Sequence, residues 1–193
     1  MDHFEFRDGI LHAEDVPLTA IADAVGTPVY VYSRATLERH AQVFKAALAG
    51  LPRTHVAFAV KANPNLAVLR VMQREGLGAD VVSGGELARA LAAGMPAQDV
   101  VFSGVGKQAH EMVQGLQAGI GQFNLESEEE GVELAALAAA MGKRAPCALR
   151  VNPDVDARTH AKISTGKAEN KVGVPIDRAA GIYARLSALP GLD

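Results

Sequence analysis

Lys61 is the residue of this sequence whose type and position best suit covalent chemistry. It follows the apolar run 56–60 and precedes Ala62-Asn63-Pro64-Asn65. Five apolar residues bounded by a Pro/Asn turn are typical of a buried strand, so we expect Lys61 at a strand end beside an apolar interior. Desolvation there would leave a nucleophilic amine able to form a Schiff base with a carbonyl group. The alternative is a lysine that merely reaches solvent.

Further polar residues lie at the ends of other predicted strands. Asp80 is near the end of the second strand, where it either lines a site or caps the next helix. Ser83 is already a good cap, which favours a site role for Asp80. Arg150 ends the fifth strand, where an arginine needs a partner, in a site or in a structural ion pair. Three more candidates for lining the same pocket are Lys107, Asn124 and Glu126.

Two features could suggest metal or thiol chemistry, and neither does. His160 lies near Asp154 and Asp156, but this spacing matches no strong ligand pattern, so we predict no metal site here. Cys147 is the only cysteine and lies in a predicted strand. It is therefore interpreted as a buried structural thiol, and a disulfide framework is excluded.

From residue 55 onward, apolar strand patterns alternate with helical patterns. The predicted strands are 55–60, 79–82, 99–103, 121–125 and 146–151, and the predicted helices are 64–75, 84–93, 107–118, 127–141 and 175–188. Capping boxes begin at Ser83 and Ser127, and helix-ending glycines follow at Gly76, Gly94, Gly119 and Gly142. Apolar strands of this kind predict a parallel sheet covered on both faces.

The repeat of about 20–25 residues suits a doubly wound sheet or a (β/α)₈ barrel. No glycine-rich dinucleotide motif follows the first strand, which favours the barrel. A complete barrel needs about 250 residues. We therefore predict an α/β fold that is an incomplete barrel of about five strands, with the sequence ending where a sixth strand would begin.

The first 54 residues follow a different pattern. Asp8-Gly9 is interpreted as a turn, and residues 18–25 as a short helix ended by Gly26. Residues 29–32 are predicted to form a strand, and Ser33 to cap a helix that runs to about Ala49. No partner within the chain is evident for residues 1–11.

The bulk composition is that of an ordinary globular protein. The chain has 193 residues, 49% hydrophobic, with a net charge of −3 and a pI of about 6.1. This charge argues against nucleic acid or an acidic membrane as partner. No apolar stretch approaches about 18 residues, and the acidic start is not a signal peptide, so we expect a cytoplasmic protein.

Several separated motifs resemble one enzyme family. Residues 58–63, with the apolar spacing that follows, resemble the pyridoxal-phosphate attachment signature of the fold-type III amino-acid decarboxylases. Residues 78–87 and 101–107 resemble the second- and third-strand motifs of the diaminopimelate decarboxylases, and residues 26–32 their entry segment. The loop that follows the fifth strand in these enzymes is similar to a stretch of this chain made up of residues 152–156, 159–160 and 163–166, with Lys171 and Gly173. Val172 and Ala161 depart from the usual Phe and Pro.

The resemblance implies roles for individual residues. Lys61 would hold pyridoxal 5'-phosphate covalently, with Asp80 and Arg150 lining the cofactor pocket. His160 and Thr165 would belong to the substrate loop. Further groups would come from outside this sequence, namely a phosphate-binding loop, a histidine stacked on the cofactor ring and an acid cysteine.

The resemblance also implies an organisation and a reaction. Residues 1–30 would belong to a mostly missing β domain, and residues 31–193 to the partial pyridoxal-phosphate barrel of a homodimeric enzyme. The reaction would be decarboxylation of meso-diaminopimelate to L-lysine, the last step of lysine biosynthesis, with these 193 residues inactive alone. The alternatives are a decarboxylase of arginine, ornithine or carboxynorspermidine, or a homologue that binds the cofactor without catalysis.

Overall fold

The computed structural model describes residues 2–153 and 173–193. The strands are β1 Phe4–Arg7, β2 Ile10–Ala13, β3 Val16–Pro17, β4 Ala57–Ala59, β5 Gly78–Val81, β6 Val100–Phe102, β7 Gln122–Leu125, β8 Cys147–Leu149, β9 Val151–Asn152 and β10 Val174–Pro175. The α-helices are α1 Leu18–Val25, α2 Arg34–Ala47, α3 Leu66–Arg74, α4 Gly84–Ala92, α5 Ala109–Ala118, α6 Glu128–Ala140 and α7 Ile176–Leu186. Short 3₁₀ helices cover Val60–Ala62 and Ala97–Asp99.

Strands β4 to β8 form a five-stranded parallel sheet in sequence order, and a helix follows each of β4 to β7. This arrangement confirms the predicted α/β repeat. After α7 the chain returns to the sheet beside β8, where Leu192 bridges Ala145 in parallel. The amide N–H groups of Ala145 and Cys147 donate to Gly191 and Asp193. Residues 191–193 therefore pair with the edge of the sheet at the point where the sequence predicts the start of a sixth strand.

The two faces of this sheet differ in burial. Ala79, Val81, Phe102 and Phe123 are almost completely buried and face the helices. The side chains between them face the opposite way, because successive residues of a strand alternate in direction. We call that side the inner face; it carries Ala59, Asp80, Val101, Gln122, Asn124 and Ala148, all only partly buried. The prediction that both faces are covered is therefore wrong for the residues described, since helices cover only one.

The helix starts at Ser83 and Ser127 are capped as predicted. Each serine Oγ accepts a hydrogen bond from the backbone N–H three residues later. The glutamates at those third positions differ from the expected capping box. Glu86 accepts from the N–H of Val82, and Glu130 from that of Glu126, one residue before each cap. Both carboxylates thereby fix the strand-to-helix turn at the carboxyl end of the sheet.

Contrary to the expectation for the first eleven residues, strand β1 has a partner within the chain. Strand β1 pairs antiparallel with β2 through a turn at Asp8-Gly9, where both residues have positive φ. Glu14 ties this hairpin to α2, because its Oε1 accepts from the Ser33 hydroxyl and the Ala35 N–H. These bonds, first the one from Ala35, hold the pKa of Glu14 below its usual value.

The strand predicted at residues 29–32 does not form. This segment has no regular structure, and the Tyr30 side chain is 89% exposed. A strand forms only when its N–H and C=O groups find a neighbouring strand, and no described segment pairs here. The helices on either side agree with the prediction: α1 ends before Gly26, and Ser33 caps α2.

Cys147 lies in β8, as predicted, but it is only half-buried and not fully buried as expected. Burial raises the pKa of its thiol, which lowers the reactive thiolate fraction. Within residues 2–153 and 173–193, no helix is long and apolar enough to cross a membrane.

Candidate active site

Lys61 lies just past the carboxyl end of β4, the first strand of the parallel sheet. It is the middle residue of the 3₁₀ helix Val60–Ala62, in which Val60 is fully buried and Lys61 is exposed. Its amine has no hydrogen-bond or ion-pair partner in the described parts of the chain. The expected desolvation of this amine is therefore wrong for this structure, because the strand end opens onto the uncovered inner face. What the structure does provide is an accessible primary amine.

Asp80 lies on the inner face of the neighbouring strand. Ala59, two residues before Lys61, is paired in register with Asp80, so Lys61 and Asp80 occupy adjacent strand ends. Asp80 does not cap helix α4, since Ser83 does. Its Oδ1 accepts instead from the Ser103 hydroxyl at 2.5 Å. This removes the structural alternative of a helix cap and leaves Asp80 facing the candidate site.

Two residues beside Asp80 were not identified from the sequence. Ser103 directly follows β6, and Gln122 is the first residue of β7. Both side chains lie on the inner face, as Asp80 does. Asn124, which was a candidate, donates from Nδ2 to Ser103 Oγ at 2.9 Å and accepts from Gln122 Nε2 at 2.6 Å. The available signal was polar residues at alternate positions of short apolar strands, which indicates a second, less buried face.

Lys107 is at the same end of the sheet, but its amine is fully occupied. The side chain is 1% exposed, and Nζ donates to the carbonyl oxygens of Gly104 and Asn124 and to Glu130 Oε1 at 2.5 Å. Nζ also lies 5.8 Å from the centre of the Phe102 ring. Lys107 is therefore part of the framework that fixes the ends of β6 and β7, and it has no free group for a ligand.

Arg150 follows β8 and pairs with Glu126, which follows β7. Arg150 Nη1 lies 2.9 Å from Glu126 Oε1, and the two side chains are 42% and 6% exposed. Glu126 Oε2 is buried and has no hydrogen-bond partner among the residues that the structure describes. The structure thus gives Arg150 the carboxylate partner that an arginine at this position requires. The exposed part of the guanidinium remains accessible to a ligand.

The predicted loop residues His160 and Thr165, with Asp154 and Asp156, lie outside the described residues. Among the residues that are described, no group of three histidine, cysteine, aspartate or glutamate side chains could hold a metal ion. Gly84 lies against α5, where a Cβ would be 2.4 Å from Gln114 Oε1 and 3.3 Å from Glu111 Cγ.

Comparisons with known proteins agree with this geometry. Residues 34–193 match the family described as "Pyridoxal-dependent decarboxylase, pyridoxal binding domain". The diaminopimelate decarboxylase of Pseudomonas fluorescens is 54% identical over 100% of this chain, which covers 46% of that protein. The chain therefore spans about half the length of the curated relatives it matches.

Solved structures give the same result. The crystal structure of diaminopimelate decarboxylase from M. jannaschii matches 100% of this chain and 46% of its own, with a TM-score of 0.89 and 33% identity. The Helicobacter pylori enzyme, complexed with L-lysine, matches 91% of this chain and 44% of its own, with a TM-score of 0.85 and 35% identity. The prediction of a partial barrel is confirmed.

The residues at the carboxyl end of the sheet fit pyridoxal phosphate. The free amine of Lys61 is the group needed to bond the cofactor's aldehyde carbon. The inner face carries small side chains at both edges of the sheet, Ala59 on β4 and Ala148 on β8. At the same end of the sheet, Asp80 adds a carboxylate and Arg150 a partly exposed guanidinium group. On the match of residues 34–193 to its pyridoxal-binding domain, this chain belongs to the pyridoxal-dependent decarboxylase family.

Proposed function

We propose that this chain is the cofactor-binding part of a diaminopimelate decarboxylase, which converts meso-diaminopimelate to L-lysine and CO₂. The observation that carries the proposal is 54% identity to a diaminopimelate decarboxylase along the whole chain, with Lys61 accessible at a strand end. The L-lysine complex of the Helicobacter pylori relative supports lysine as the product. The activity is proposed for a protein of the relatives' length, since this chain spans 46% of the relative from Pseudomonas fluorescens.

Lys61 is proposed as the covalent attachment point of pyridoxal 5'-phosphate. When bound, the cofactor supplies an electron sink for the electron pair left behind as CO₂ departs. The Lys61 amine competes with no protein partner in the described residues, so it is free to bond the cofactor and to be displaced by the substrate amine. The open inner face gives the ring access to the amine without movement of the sheet.

Asp80 and Arg150 are proposed to line the cofactor pocket. Asp80 supplies a fixed carboxylate that accepts hydrogen bonds from N–H groups. Arg150 supplies a planar cation whose orientation is set by Glu126. His160 and Thr165 are retained as proposed substrate-loop residues on the family resemblance.

The remaining proposals concern the whole protein. We propose that it acts in the cytoplasm as a homodimer, and that residues 1–30 belong to a β domain while residues 31–193 form the barrel portion. The exposed apolar side chains of Val29, Tyr30 and Tyr32 support burial of this entry segment by a domain outside the present chain. Sedimentation analysis of the natural gene product tests the dimer.

The reaction is tested by measuring CO₂ release and lysine formation by the natural gene product that contains this chain. We expect turnover of meso-diaminopimelate to exceed that of arginine, ornithine and carboxynorspermidine by at least about 100-fold in kcat/KM. A preference for one of the other amino acids would reassign the substrate. A protein that binds the cofactor but releases no CO₂ would favour the non-catalytic homologue. The 193-residue chain is expected to show little or no activity by itself.

A further inference from the structure

Four polar side chains form one hydrogen-bonded series across three adjacent strands. Gln122 Nε2 lies 2.6 Å from Asn124 Oδ1, Asn124 Nδ2 lies 2.9 Å from Ser103 Oγ, and Ser103 Oγ lies 2.5 Å from Asp80 Oδ1. We call this series the polar ladder. It begins on β7, crosses the end of β6 and finishes on β5, on the strand next to the one that leads to Lys61.

The chemistry of the ladder fixes its direction. An ionised Asp80 carries no hydrogen, so the Ser103 hydroxyl must donate to it. Ser103 Oγ can then only accept from Asn124, which must present its NH₂ group to the serine. That leaves Asn124 Oδ1 to accept from the Gln122 amide. The three hydrogen bonds of the ladder therefore all run in one direction, with each donated hydrogen pointing towards the Asp80 carboxylate.

The ladder has no evident structural purpose. Asp80 caps no helix, since Ser83 caps α4, and it forms no ion pair with any described residue. The second carboxylate oxygen, Oδ2, has no hydrogen-bond partner in the described structure, while Oδ1 is held firmly. A partly buried carboxylate held in one orientation by uncharged donors, with one oxygen free, is arranged to receive a donor from a ligand.

We propose that Ser103 and Asn124 are positioning residues that hold Asp80 so that its free oxygen accepts a hydrogen bond from a cationic or N–H-bearing group bound over the inner face. The inference rests on the proposed cofactor site at Lys61. Ser103 acts directly on Asp80, and Asn124 acts through Ser103 by occupying the serine's acceptor position. Gln122 orients Asn124 in turn.

The first test measures pyridoxal 5'-phosphate binding to the natural gene product that contains this chain, by absorbance titration and by visible circular dichroism of the bound cofactor. Ser103→Ala removes the donor to a charged group, and we expect affinity to fall about 10-fold, with a weaker dichroism signal. Ser103→Thr keeps the hydroxyl and is expected to restore both. Ser187→Ala, which removes an exposed hydroxyl elsewhere, is the matched control and is expected to change neither.

Asn124→Asp tests the direction of the ladder. A carboxylate at position 124 cannot donate to Ser103, so two carboxylates compete for one hydroxyl hydrogen, and we expect a loss at least as large as that of Ser103→Ala. Crystal structures of Ser103→Ala and Asn124→Asp without ligand should show Asp80 rotated from its parent orientation. This structural readout does not depend on the cofactor.

The outcomes separate the two proposals. If the parent protein binds the cofactor at Lys61 but both variants bind it equally well and keep Asp80 in place, the ladder proposal is overturned and the cofactor site stands. If the natural gene product that contains this chain does not bind the cofactor at Lys61, the proposed function fails, and the ladder's role in it fails too.

Discussion

Lys107 Nζ lies 2.5 Å from Glu130 Oε1 inside the protein, with the two side chains 1% and 10% exposed. The lysine also bonds the carbonyl oxygens of Gly104 and Asn124, and Glu130 Oε2 accepts from the N–H of Glu126. One buried ion pair thereby joins the loop after β6, the strand β7 and the start of α6. These are the segments that carry Ser103, Asn124 and Glu126.

Lys107→Met is expected to destabilise the fold strongly. It leaves a buried carboxylate and two carbonyl groups without their donor, and removing one member of a buried pair typically costs about 3–5 kcal/mol. Urea denaturation measures the change in the free energy of unfolding. The matched control is Arg185→Met, which breaks the exposed pair with Glu128 and should have little effect. If the two variants lose the same free energy of unfolding, the buried Lys107–Glu130 pair contributes no more to stability than the exposed Arg185–Glu128 pair.

Arg150→Met is expected to lower stability by about 1–3 kcal/mol, since it removes the one side-chain donor that the described part of the chain offers to the buried Glu126 carboxylate. The double variant with Glu126→Met should recover part of this loss, because an apolar pair of similar volume avoids burying the charge. A double-mutant cycle in urea measures the coupling. Additive effects of the two substitutions would contradict a direct interaction between Arg150 and Glu126.

Glu111 links the starts of two helices and should make stability depend on acid. Its carboxylate accepts hydrogen bonds from the N–H groups of Gln108 and Gly84. These bonds, with that from Gln108 having the larger effect, lower the pKa of Glu111 below its unfolded value of 4.5. A lowered pKa contributes stability above about pH 4.5, and this contribution is lost as the pH falls through the pKa of the folded state.

Glu111→Gln keeps the shape but removes the charge, so we expect a loss of about 1 kcal/mol at pH 7. The difference between the parent and the variant should shrink as the pH falls below 4.5. Thermal unfolding of both proteins between pH 3 and pH 7 measures this. A difference that stays constant over that range would show that the charge of Glu111 is not involved.

The parts of the fold that the sequence predicts are those governed by local chemistry. Ser83 and Ser127 mark helix starts, and Gly76 and Gly119 adopt the left-handed conformation that ends helices. Residues 29–32 have strand composition but no pairing partner, and composition cannot reveal that. The Asp8-Gly9 turn of the β1–β2 hairpin is evident in the sequence, but the pairing of β1 with β2 was not predicted.

The site was only partly predictable for the same reason. Lys61, Asp80 and Arg150 follow strands that are evident one at a time, so each was identified individually. The contacts Ser103–Asp80 and Glu126–Arg150 depend on the register between strands, which no single strand encodes. The exposure of Lys61 likewise depends on what covers the inner face.

Lys61→Ala should leave folding unchanged within about 0.5 kcal/mol, because the side chain is exposed and has no partner in the described residues. The same variant should abolish specific attachment of the cofactor. Lys45→Ala, at another lysine outside the proposed site, serves as the control. The Lys45→Ala variant should still attach the cofactor at Lys61.

The most direct measurement is borohydride reduction of the natural gene product that contains this chain, with pyridoxal 5'-phosphate present, followed by peptide mass spectrometry. The account predicts one labelled cofactor per chain on the peptide that contains Lys61, and no specific label in Lys61→Ala. Labelling at a different lysine, or the same labelling in Lys61→Ala, would contradict it.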